Sequence, residues 1–176
     1  MHIQLADVLF GEEGRPIHYE IPVERESVEV GGVCFALSEK SPAILDIVRT
    51  DGQTVKIEGS CQVSAKIPCG RCLREVETPF KLAISREVDM EKPEEERIQE
   101  LDGANFITGT KLDVEQLICN ELLAQWPMRV LCKEDCKGLC SRCGADLNVS
   151  PCDCDRTSLD PRMAAISDIF SRFKEE

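Results

Sequence analysis

Six of the chain's eleven cysteines fall between Cys132 and Cys154. A cluster this dense dictates local structure, through cross-linking or metal ligation, before any hydrophobic core is considered. Eleven is odd, so complete disulfide pairing is impossible. The start of the chain, Met1-His2-Ile3-Gln4-Leu5-Ala6-Asp7, has neither a basic leader region nor a long apolar run. No stretch approaches the roughly 18 apolar residues that span a bilayer. A cytoplasmic protein is expected, and in a reducing compartment such cysteines point to metal rather than to disulfides.

Zinc holds four thiolates at about 2.3 Å in a tetrahedron, which puts neighbouring sulfurs nearly ~4 Å apart. Cys140-Ser141-Arg142-Cys143-Gly144 can meet that demand on one tight turn, with the glycine free to aim backbone N–H groups at sulfur. Cys152-Asp153-Cys154 supplies a second pair, because alternate residues of an extended segment project to one side. Cys140, Cys143, Cys152 and Cys154 therefore form a first all-thiolate site. Cys132 and Cys136 remain, two ligands short, and the other close pair in the chain is Cys69 and Cys72. Joining those pairs makes a second four-cysteine site that staples a β region to the C-terminal segment. Two alternatives stay open: one site using Cys132 or Cys136 with Cys140 and Cys143, or a Cys69/Cys72 pair left reduced and free. Cys34, Cys61 and Cys119 lie in strand or helix patterns and are expected in the core, where a thiol acts as a small hydrophobe.

From Val28 to Asp89 the pattern is β-like, with β-branched residues alternating at period two between Gly and Pro. A strand near Arg15–Val23 precedes it, after a short helix or turn carrying Leu5, Val8 and Leu9. Strands 44–50 and 53–57 flank Asp51-Gly52, which predicts a two-residue hairpin turn. A second pair, Ser60–Ile67 and Leu73–Val88, places Cys69-Gly70-Arg71-Cys72 at its tip. Residues 86–102 carry eight acidic against three basic residues, and residues 89–102 are expected to be a solvated loop. Asp113 can cap a helix, with Gln116 as its capping-box partner and Val114, Leu117, Ile118, Leu122 and Trp126 on one face. Pro127 ends it. Asp160-Pro161 starts a final helix running to about Phe173.

The expected fold is α+β: a mainly antiparallel sheet or partly open barrel with two or three helices and a C-terminal Cys-rich zinc module. The expected division is a β-rich core at 1–127, a zinc module at 128–156 and a C-terminal helix at 157–176.

Enzyme readings lack their residues. His18-Tyr19-Glu20 and Pro68-Cys69-Gly70-Arg71-Cys72 match the zinc-deaminase strings literally, yet that chemistry needs both motifs opening helices around a pocket. Here one lies in an extended stretch before Pro22 and the other between strands. A thioredoxin-like role requires CxxC at a helix start in a βαβ setting, which is absent. Histidine occurs at positions 2 and 18 alone, without HExxH, GxSxG or a phosphate-binding glycine loop. A fully thiolate-ligated zinc keeps no open position for water, so the expected sites are structural and the protein is not an enzyme. A zinc-thiolate redox-sensitive regulator is the alternative. The net charge of −12 disfavours a broad grip on nucleic acid and suits basic protein partners. Arg129, Lys133, Lys137, Arg142 and Arg156 offer a local basic patch that could still touch RNA.

Several strings together resemble the YceD family of large ribosomal RNA subunit accumulation proteins, in its cysteine-rich bacterial form. They are Cys69-Gly70-Arg71-Cys72-Leu73, Leu122 to Met128, Cys132 to Cys140, Cys143-Gly144-Ala145-Asp146-Leu147-Asn148 and Asp160-Pro161-Arg162. The resemblance runs from about Val55 to Phe170. It implies a ribosome-biogenesis factor needed for accumulation or processing of 23S ribosomal RNA and for large-subunit assembly. The implied partners are the pre-ribosomal large subunit, through a basic ribosomal protein or ribosomal RNA, with no membrane and no small-molecule substrate. Gln125-Trp126 departs from the smaller aliphatic residues expected before Pro127.

Overall fold

The computed structural model describes residues 1–99 and 104–154. In chain order the elements are β1 (His2–Gln4), α1 (Ala6–Leu9), β2 (Ile17–Ile21), β3 (Ser27–Val30), β4 (Val33–Lys40), β5 (Ala43–Arg49), β6 (Thr54–Pro68), β7 (Glu75–Asp89), α2 (Glu94–Gln99), β8 (Ile107–Thr108), β9 (Lys111–Asp113) and α3 (Val114–Ala124). All strand pairs among the described residues are antiparallel. The sheet does not close into a barrel. No helix among these residues is long and apolar enough to cross a membrane.

The organising strand is β6. One of its edges pairs with β7 from Thr54↔Asp89 to Pro68↔Glu75. The other is shared, first by β5 and then by β4, with β2 and β3 outside them. Sequence alternation builds the core on one face of this ladder. Val55, Ile57, Cys61, Val63, Ala65 and Ile67 of β6 are buried, as are Phe80, Leu82, Ile84 and Val88 of β7, which is period-two burial across a directly opposed pair. Helix α3 covers β7 with Leu117, Ile118 and Leu122, and Arg86 of β7 meets Glu121 of α3 at 2.7 Å.

Residues 54–57 and 60–67, expected in two separate strands, form one strand because Gly59 keeps it continuous. A Cβ there would lie 2.2 Å from the Ile44 carbonyl oxygen. Only glycine lets β5 approach so closely.

Three expectations need correction. The Asp51-Gly52 turn takes in Gln53 as well: Thr50 pairs with Thr54 through an N–H···O bond of 3.0 Å, and only Gly52 has positive φ, at 58°. A two-residue turn would pair Ile47 with Lys56. The observed pairing, Ile47↔Ile57 and Leu45↔Gly59, puts buried residues on one face, so the burial pattern overrides the turn signal.

The second correction concerns 89–102, where Glu94–Gln99 is helical rather than loop. Glu94, Glu95 and Glu96 occupy its first turn, where the helix dipole favours negative charge. Pro93 accepts the N–H groups of Glu96 and Arg97 at 3.1 and 3.2 Å, and the Arg97 side chain is buried against Met90, Nη1 to Sδ 3.4 Å.

The third is Cys34, which is exposed. It lies on the β3–β4 hairpin beside Val33, itself 55% exposed, where that hairpin runs past the main sheet. Cys61 and Cys119 are buried as expected.

Asp113 caps α3, its Oδ1 accepting from Glu115 and Gln116 N–H at 3.1 and 3.2 Å. The reciprocal half of a capping box does not form, because the Asp113 N–H is spent on the Phe106 carbonyl at 2.7 Å and Gln116 turns to Asn120. Trp126 lies beyond the helix, over Phe80 (centroids 5.6 Å apart, planes at 11°) and beside Phe35 (5.0 Å, 49°). That packing explains its departure from a small aliphatic residue. The helix expected at 161–173 lies outside the described residues.

Candidate metal centres

The β6–β7 ladder ends at Pro68↔Glu75, and the six residues between must reverse the chain. Cys69 N–H bonds the Arg74 carbonyl at 2.8 Å and Leu73 N–H bonds the Cys69 carbonyl at 3.0 Å, closing a knuckle in which Leu73 has φ 60°. The knuckle carries Cys69 and Cys72 at its rim, and the segment after Trp126 folds over it. Gly70 N–H meets the Val130 carbonyl at 2.8 Å, and Leu139 N–H meets the Arg71 carbonyl at 3.2 Å. The Arg71 guanidinium reaches back to the carbonyls of Glu134 and Cys136 at 3.3 and 2.7 Å.

These bonds bring four thiols together. Cys69, Cys72, Cys132 and Cys136 form one group and Cys140, Cys143, Cys152 and Cys154 another, the sulfurs of each all within 4.8 Å of one another. Cys69 and Cys136 are 3.9 Å apart, and Cys72 and Cys132 3.5 Å. A tetrahedron with bonds of about 2.3 Å has edges of about 3.8 Å, so the spacing fits a four-coordinate ion. The first group is enclosed, with Cys69, Cys72 and Cys136 buried against Val76 and Leu131. The second is shallower: Cys140 is buried and Cys143 exposed.

The second group repeats the knuckle. Gly144 N–H bonds the Cys140 carbonyl at 2.9 Å and Cys140 N–H bonds the Ala145 carbonyl at 2.8 Å. Gly144, with φ 74°, sits where Leu73 sits in the first. Neither group includes a histidine. His18 is on β2, its Nδ1 2.9 Å from Asp46, far in topology from the thiols, which removes the deaminase arrangement.

Charge inside each group is uneven. Backbone N–H groups, that of Cys72 foremost, hold the Cys69 thiol down to about 6, and the Cys143 N–H does the same for Cys140, down to about 6. Burial and the neighbouring sulfurs push Cys132 up to about 12, and the bond to Cys143 pushes Cys154 up to about 12. Each group thus tolerates an anion but resists four. A divalent cation is the charge that would let all four sulfurs ionise.

Sulfur also receives donors that cysteine spacing does not reveal. Cys132 N–H points at Cys69 Sγ at 3.4 Å and Asn148 Nδ2 at Cys136 Sγ at 3.4 Å. In the sequence only its place in the Cys143 to Asn148 string draws notice to Asn148. Of the basic patch, Arg129, Lys133, Lys137 and Arg142 are exposed around the thiols, and Arg156 lies outside the described residues.

A family model described as "Large ribosomal RNA subunit accumulation protein YceD" matches residues 57–170. An uncharacterized protein of Mycobacterium leprae is 25% identical over 132 residues, covering 74% of this chain and 60% of that protein. An uncharacterized protein of Mycobacterium tuberculosis is 25% identical over 131 residues, covering 73% and 63%. Uncharacterized protein YlbN of Bacillus subtilis is 24% identical over 110 residues, covering 62% of each. The chain thus spans about three-fifths of the length of the curated relatives it matches. No solved structure matches it.

Proposed function

The chain belongs to the YceD family of large ribosomal RNA subunit accumulation proteins, and on that premise we propose that it serves 23S ribosomal RNA accumulation or processing and large-subunit assembly as a non-catalytic, zinc-stabilised binding protein. Two structural zinc ions are proposed, one held by Cys69, Cys72, Cys132 and Cys136, the other by Cys140, Cys143, Cys152 and Cys154. The observation that carries this is the closeness of each set of four sulfurs, in all-sulfur surroundings that suit zinc and leave no position for a substrate or water. Zinc, when bound, supplies positive charge that keeps four thiolates together. The residues do the rest: the β6–β7 knuckle and the 129–154 segment are fastened into one surface on the β-rich core.

In the proposed cytoplasmic role, a net charge of −12 supports docking on a basic ribosomal protein of the assembling large subunit, while the exposed cations beside the thiols are what a contact with its RNA would use. The redox-regulator alternative rests on the same thiols and gains no separate support from the fold.

The test is depletion of the protein in its own organism with profiling of ribosomal RNA precursors and subunits, followed by rescue. Loss of large subunits, restored by the intact chain and not by one with Cys69→Ser and Cys72→Ser, is expected. Normal precursor and subunit levels on depletion would sink the reading.

A further inference from the structure

The two thiol groups are not independent. Asn148 belongs to the loop 144–151, whose ends are Cys143 and Cys152 of one group, yet its Nδ2 bonds Cys136 Sγ of the other at 3.4 Å. Its Oδ1 accepts the Lys137 N–H at 2.9 Å, so the amide grips the residue after Cys136 as well. The amide's orientation is fixed in turn. Asp146 Oδ1 accepts Asn148 Nδ2 at 2.7 Å and Asn148 N–H at 2.9 Å. Asp146 Oδ2 takes Arg74 Nη2 at 3.2 Å, two residues past Cys72. Leu147 N–H reaches the Gly138 carbonyl at 3.0 Å.

From this geometry we propose that Asn148 couples the two metal centres, so that filling the Cys140/Cys143/Cys152/Cys154 site raises the affinity of the Cys69/Cys72/Cys132/Cys136 site. The inference rests on the metal reading above and concerns a residue that would touch no ion. A loop closed at both ends by bound thiolates loses much of its freedom, and ordering its backbone is the entropic cost of placing Asn148. Metal in the C-terminal site meets that cost for 144–151 and delivers Asn148 already aimed at Cys136. The N–H···S bond then stabilises the thiolate at no further ordering cost. Without that metal, the hairpin site must order the loop itself or forgo the bond. Donors behind metal ligands are worth about 10–100-fold in metal affinity, and a coupling of about tenfold lies within the usual 5–150-fold range. The factor must be reciprocal at equilibrium.

The experiment titrates Co²⁺ into the metal-stripped full-length chain against a competing chelator, reading the visible tetrathiolate bands. Asn148→Asp is the probe variant: it keeps shape and an acceptor for Lys137 N–H but cannot donate to sulfur. Because it sets a second carboxylate beside Asp146, it is read together with Asn148→Leu, which removes the donor without adding charge; the outcomes below are required of both. Cys140→Ser with Cys143→Ser removes the C-terminal site. The proposal expects about tenfold weaker binding at the hairpin site in Asn148→Asp, a similar loss in the Cys140/Cys143 double variant, and little additional loss when the changes are combined. The reciprocal arm uses Cys69→Ser with Cys72→Ser, and the C-terminal site should weaken by the same factor without help from Asn148→Asp. Unchanged affinity in Asn148→Asp, or losses that simply add, overturns the coupling while leaving the two sites standing. Fewer than two Co²⁺ per intact chain instead refutes the metal reading on which it rests. Asn148→Gln, which retains a donor on a longer stem, separates loss of the bond from loss of folding: it should recover part of the affinity.

Discussion

Replacing Trp126 by Ala should loosen the join between the sheet and the thiol-bearing segment. Trp126, the chain's single tryptophan, stacks on Phe80 at 5.6 Å and packs beside Phe35 at 5.0 Å, so it ties β7 and β4 to the chain just before Val130 and Cys132. Each aromatic pair is worth about 0.5–1.5 kcal/mol beyond area burial, and truncating a fully buried Trp costs about 3–5 kcal/mol. Trp126 is half-buried, which places the loss near ~3 kcal/mol. For a chain of this size that lowers Tm by roughly 6–12 °C. Thermal unfolding followed by far-UV circular dichroism, with zinc held saturating in every sample, measures it, since bound metal shifts apparent stability by mass action. Trp126→Phe keeps a stacked ring and should recover more than half of the loss. A change below about 0.5 kcal/mol for Ala, or a Phe variant no better than Ala, would refute the packing argument.

Three further outcomes follow. Gly59→Ala puts a methyl 2.2 Å from a backbone carbonyl and 2.7 Å from Leu45 Cδ2, and should cost more than about 3 kcal/mol, seen as a collapse in Tm; a change within error would mean β5 can move away. Leu73→Gly relieves a left-handed conformation at φ 60° in a side chain 66% exposed, for a net gain of about 0.5–1 kcal/mol after glycine's unfolded-state entropy; denaturant unfolding showing a loss would contradict it. In the metal-free protein Cys69 and Cys140 are held down to about 6 from 9.0, so their contribution is complete above 9 and is lost as pH falls through 6. Cys132 and Cys154, pushed up to about 12, contribute below 9 and lose it as pH rises toward 12. Stability of the metal-free chain should therefore peak near pH 9, and urea midpoints that climb steadily from pH 6 to 11 would be inconsistent with this assignment.

How much of this was readable in the chain depends on what kind of constraint each feature answers to. The cysteine groups were legible because tetrahedral ligation needs sulfurs nearly ~4 Å apart, and only short Cys spacings provide them. Counting ligands in 132–154 left Cys132 and Cys136 in want of partners, and the hairpin tip carried the remaining close pair. The strands of β5, β6 and β7 were legible from alternation. The Asp51-Gly52 dipeptide predicts the shorter turn, whereas the odd-numbered burial of Leu45, Ile47, Val55 and Ile57 demands the longer one. A run of glutamates reads as solvated surface, so the sequence hides helix α2, which places Arg97 in a buried position against Met90. Nothing local to Cys34 reveals that its hairpin runs past the sheet. Asn148 was invisible as a sulfur donor, since its target is 12 residues away in sequence and only the folded loop aims it.

The central claim, two zinc ions holding the hairpin tip and the C-terminal segment together, is tested most directly by metal analysis with zinc X-ray absorption on the purified full-length chain. Two zinc ions per chain are predicted, each surrounded by four sulfurs at about 2.3 Å, falling to one ion in the Cys69→Ser, Cys72→Ser variant. A single ion in the intact chain, nitrogen or oxygen in the coordination shell, or two ions retained by that variant would contradict it.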